Sequence, residues 1–110
     1  MAVQSKYRAG STAIFTISFF DENNDSPVPN EAFWSLCNYG SIVNGREDVE
    51  ITQFYTDSDG VTKADIVLSG DDLVPGYLTL VVEYKYDSDA GTNLPDRNWI
   101  TFTVTGPQCG

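Results

Sequence analysis

Apolar and polar residues alternate along most of this chain with a period of two. In residues 13–19, Ala13, Phe15, Ile17 and Phe19 share one face, while Thr16 and Ser18 take the other beside Ile14 and Phe20. Residues 77–86 repeat the arrangement, with Leu78, Leu80, Val82 and Tyr84 against Thr79, Val81, Glu83 and Lys85. Residues 97–105 do so again, setting Ile100, Phe102 and Val104 against Trp99, Thr101, Thr103 and Thr105. No stretch holds apolar residues at three-and-four spacing long enough to predict a helix. The period predicts an all-β fold built from half-buried strands.

The remaining segments extend this pattern. Residues 31–39 place Trp34 and Leu36 on an inward face and Phe33 and Cys37 on the opposite one. Residues 49–55 and 61–68 flank the turn DSDG and predict a hairpin with Thr56 opposite Val61, Gln53 opposite Ala64, Ile51 opposite Ile66 and Val49 opposite Leu68. Residues 77–86 and 97–105 form a second hairpin through a ten-residue connection, 87–96. The segment DENNDSPVPN is rich in turn formers and reads as a loop. A short opening strand over residues 3–8 brings the count to seven, which suits a two-sheet antiparallel β-sandwich. With 110 residues, the size predicts a single domain over residues 1–106 and a flexible C-terminal tail, PQCG, from 107 to 110.

Charge narrows the range of partners. Sixteen acids against six bases give a net charge of −10, a field that repels nucleic acid and anionic membrane surfaces. No apolar run approaches the length of a membrane span. The N-terminal MAVQSKYRAGS lacks the apolar core of a signal peptide, so secretion by that route is not expected. The two cysteines, Cys37 and Cys109, are therefore expected to be reduced, Cys37 as a small core residue.

Nine of the eleven aspartates lie between the apolar runs: Asp21, Asp25, Asp57, Asp59, Asp71, Asp72, Asp87, Asp89 and Asp96. Solvated turn acids are the plain explanation. Calcium is the alternative, with Asp87, Asp89 and Asp96 of DSDAGTNLPD as weak candidate ligands. That string departs from the EF-hand spacing, which needs Gly and Glu where Thr92 and Asn98 stand. Histidine is absent, which removes the usual general base and every imidazole-dependent triad. Paired-carboxylate hydrolysis needs an acid raised by an apolar pocket, and acids spread over turns do not predict one. The expectation is a protein without catalytic residues or cofactor.

A contact surface is the stronger lead. The outward row of Trp99, Thr101 and Thr103, with Val81 on the neighbouring strand, puts large apolar groups on a face expected to be wet. Asp87, Asp89 and Asn93 of the long connection join them as interface candidates, because long loops often carry binding.

Two resemblances add to this. The segment SGDDLVPGYLTLVVEY is similar to the corner between strands E and F of immunoglobulin-like sandwiches, where a tyrosine in the place of Tyr77 returns its hydroxyl to the backbone. Trp34 resembles the core tryptophan of strand C. No cysteine precedes Trp34 in the neighbouring strand and none follows Tyr77 in its own, so the likeness is to the broader immunoglobulin-like architecture. The strings SIVNGREDVEIT, VLSGDDL, YLTLVVEY and YDSDAGTNLP resemble a family of small proteins encoded among the structural genes of tailed bacteriophages. That resemblance implies a virion protein with an immunoglobulin-like fold, a capsid decoration or a neck or tail component. It would be assembled in the host cytoplasm and bind other virion subunits or further copies of itself. The alternative is an adhesion module whose acidic loops, with calcium, engage carbohydrate or a cell surface.

Overall fold

In the computed structural model, which describes residues 6–106, the chain forms two facing β-sheets without an α-helix among those residues. The larger sheet has the order β1 (Lys6–Arg8), β9 (Gly91–Thr105), β8 (Gly76–Ser88), β3 (Glu31–Asn38), β4 (Ser41–Ile42), with β5 (Val49–Glu50) also pairing with β3. The smaller sheet runs β2 (Thr12–Ser18), β7 (Thr62–Ser69), β6 (Tyr55–Thr56). Pairing is antiparallel except that β1 lies parallel to β9, Lys6 beside Thr103. The expected tail 107–110, Cys109 and the first residues of the opening strand fall outside the described residues.

Alternation decides which side chains meet between the sheets. Ala13, Phe15 and Phe19 of the β2 segment, and Leu78, Leu80, Val82 and Tyr84 of β8, are buried. Phe15 packs against Phe102 with ring centroids 4.9 Å apart, and Phe19 meets Tyr84 edge-on at 4.9 Å. Trp34 and Leu36 point inward from β3. Cys37 stands on the other face of that strand, half-buried beside Thr79 and Ile42, so it is not the core residue expected.

The first predicted hairpin is corrected. Its leading segment is divided between the sheets: Val49 and Glu50 pair with Trp34 and Phe33, while only Tyr55 and Thr56 pair with β7. Ile51 donates its N–H to the carbonyl of Ala32 and turns inward, which carries residues 51–54 across the gap. Ile66 faces Phe15 of β2 instead of Ile51. The register also slips by one, placing Thr56 opposite Thr62. Asp57 causes the slip: its carboxylate accepts the N–H groups of Asp59 and Val61, and Gly60 takes a φ of +80°. The Asp57 N–H also bonds the Val61 carbonyl at 3.0 Å, so residues 58–60 are the loop, three in place of the expected four.

The second hairpin is longer than expected and its connection shorter. Strands β8 and β9 continue until only Asp89 and Ala90 remain as the turn. A register shift between Tyr86 and Ser88 absorbs the irregular sequence. Asn93, at φ +50°, is held there by its N–H bond to the Asp87 carboxylate. The Asp and Asn residues that read as a loop instead secure a bulge inside a strand pair.

Candidate functional site

The outer face of the larger sheet carries the candidate surface. Pairing lines up Trp99, Val81 and Ser35 across three strands, with Thr101, Thr79, Cys37 and Ile42 in the next row and Thr103 beside Tyr77 in the third. Trp99 is 68% exposed, and no described loop covers it. Ion pairs of Arg97 with Glu83 and Lys85 with Glu31, each at 3.2 Å, frame one side of the patch. Such a centre, apolar and aromatic with a charged rim, has the anatomy of a protein contact.

The other interface candidates lie elsewhere. Asn93 is six residues from Trp99 along β9, roughly 20 Å at strand spacing, so the hairpin tip is not beside the tryptophan. Asn30 donates its side-chain amide to Asp87 at 2.7 Å and to Asn93 at 2.9 Å, tying the tip to the loop before β3. These bonds, first that from the Asn93 N–H, hold the Asp87 carboxyl below its ordinary range. Asp96 is engaged separately, accepting the Tyr84 hydroxyl and the N–H of Arg97. Asp89 sits in the turn. Among the described residues no three metal-ligating side chains gather into one site.

Two structural assignments change. Tyr77 is 53% exposed and pairs with Thr103 on the outer face. The hydroxyl that reaches a distant backbone carbonyl is that of Tyr84, 2.9 Å from the oxygen of Phe20. The inward row of β8 carried that signal, since Tyr84 follows Leu78, Leu80 and Val82 at the same parity. Burial, and then the hydrogen bond to Asp96, push its pKa up to about 12.

Asp72 is the second. It is 1% exposed, far from a solvated turn acid. Its carboxylate accepts Arg46 Nε at 2.7 Å, Asn44 Nδ2 at 2.8 Å and the N–H of Ser69 at 3.1 Å. Burial pushes the acid up, but Arg46, Asn44 and Ser69 together outweigh it and hold the carboxyl low. The Arg46 guanidinium also lies 5.9 Å from the ring of Trp34. One arginine thus joins the segment after β4, the core tryptophan and the turn before β8.

The fold and face define a two-sheet β protein with an uncovered aromatic patch. Comparison with protein-family models, with curated proteins and with solved structures gives no match.

Proposed function

We propose that this chain is a non-enzymatic structural protein of a tailed-bacteriophage particle, an immunoglobulin-like sandwich that binds other virion subunits as a capsid decoration or a neck or tail component. The observation that carries the binding role is the uncovered Trp99 beside half-buried Val81. A tryptophan left open on a sheet face contributes little to its own fold and much to an association.

The strand order supports the immunoglobulin-like assignment. With β2, β7 and β6 taken as strands B, E and D, and β3, β8 and β9 as C, F and G, each sheet has the neighbours such sandwiches have. The particle assignment is supported by the phage-like strings, which span β4, the β7–β8 corner and the β8–β9 hairpin. The carboxyl groups Asp57, Asp72 and Asp87 are all held low by their hydrogen bonds. A raised acid would serve hydrolysis; these serve as acceptors.

Mass spectrometry and electron microscopy of purified particles test the proposal. The chain should be present at a fixed copy number, and Trp99→Ala should reduce its incorporation while leaving the isolated protein folded. Particles that lack the chain would overturn it.

A further inference from the structure

Sheet edges are templates for another strand, and proteins usually blunt them with short length, charge or proline. In this fold β4 and β6 are two residues each, and the free stretch of β9 contains Pro95, Asp96 and Arg97. Strand β2 has none of these guards. Among the described residues its sequence TAIFTIS pairs with β7 alone, leaving a seven-residue edge without charge or proline.

A slot opens beside that edge, between the two sheets, with a cavity volume of about 660 Å³. Leu80 and Val82 form its floor, Phe15 and Ile17 one wall, and Ile100 the other. Asn98 shares the inward parity of Ile100 but is exposed, because nothing described closes the gap between β9 and β2 here. Extended over seven residues, a strand measures roughly 23 Å and sends every second side chain to one face.

Among the described residues the lining holds a single charged one, Arg8, at the end where the chain turns from β1 to β2. Arg46, Lys63, Lys85 and Arg97 are each paired with an acid, whereas Arg8 has no ion-pair partner among the described residues. In a chain of net charge −10, an unpaired base at the mouth of an apolar slot is a place for a carboxylate from outside. A second copy fits poorly, since its own free edge, TAIFTIS, carries no acid and its net charge of −10 repels.

We propose that the β2 edge and this slot accept an extended strand of another protein, apolar at alternate positions and bearing a carboxylate where it reaches Arg8. Main-chain hydrogen bonds to β2 supply the attraction, and the inter-sheet pockets read alternate side chains. This goes beyond the outer-face contact at Trp99 and holds wherever the protein resides.

The test is backbone amide exchange over residues 12–18 in the full-length chain, followed by NMR. The probes are blocked seven-residue peptides of alternating threonine and valine with an aspartate at either end, and their lysine-ended counterparts. Alternate β2 amides should slow by about tenfold with the aspartate peptide, which should bind about threefold tighter than the lysine peptide at low salt. Arg8→Glu, an exposed change, should invert that preference, and Ile17→Lys should abolish the slowing. Unchanged β2 exchange with every peptide would overturn the proposal, as would an uninverted preference in Arg8→Glu. Slow β2 exchange in the free monomer would show the edge already occupied by the chain itself, and slowing that tracks a sedimenting dimer would give it to a second copy. Either result also overturns the proposal.

Discussion

Asp72 and Arg46 meet at 2.7 Å across 26 residues of sequence, the acid 1% exposed and the arginine side chain 41%. Three part-buried donors, Arg46 Nε, Asn44 Nδ2 and the Ser69 N–H, lose their acceptor together when the buried carboxylate is removed. Asp72→Ala should therefore destabilise by about 2–3 kcal/mol. Urea unfolding of Asp72→Ala, Arg46→Ala and the double variant measures this. The double loss should fall short of the sum of the singles, and strict additivity would mean that the two residues act independently.

The same acid sets a response to low pH. Because the folded carboxyl is held below its ordinary value, the stability it contributes is present above the unfolded pKa and is lost as pH falls through the folded one. Unfolding midpoints should decline from about pH 4 downward, and Asp72→Asn should flatten that decline. An equal slope in the variant would transfer the effect to other carboxylates.

Tyr84 acts at the opposite end of the scale. With its folded pKa near 12 and the unfolded tyrosine near 10, its contribution is complete below pH 10 and is lost as pH rises toward 12. Tyr84→Phe removes the one hydroxyl proton shared between the Phe20 carbonyl and the Asp96 carboxylate, each 2.9 Å away, and should cost about 1–2 kcal/mol at neutral pH. It should also make the alkaline loss of stability shallower. An alkaline limb as steep as that of the wild type would assign the loss to other tyrosines.

Trp99 separates fold from contact. Its 68% exposure means that Trp99→Ala should change the unfolding free energy by no more than about 0.5 kcal/mol. Association with particle components should weaken by tenfold or more. Calorimetry on the isolated protein and sedimentation with purified particles read the two effects separately.

The strongest sequence signal was the alternation, since period-two patterning assigns each residue to a face whichever strand lies next to it. It placed the inward rows of β2, β8 and β9 and left Trp99 outside. Pairing was less legible. Ile51 is apolar whether it faces β7 or turns into the core, so the pattern carried no sign that residues 49–56 divide between sheets. The acids divide for a similar reason: Asp71 and Asp72 are adjacent and chemically alike, and only Arg46 and Asn44, brought from another loop, make one of them internal. Tyr84 was visible in the inward row, but its bonding to Phe20 depended on the path of a loop 64 residues away.

The parallel pairing of β1 with β9 has a mechanical consequence. Tension applied between residues 6 and 105 pulls these neighbours lengthwise in opposite directions, so their hydrogen bonds bear the load together instead of opening one by one. A protein fixed to a larger body at both ends would meet stress through this clasp before its core is disturbed.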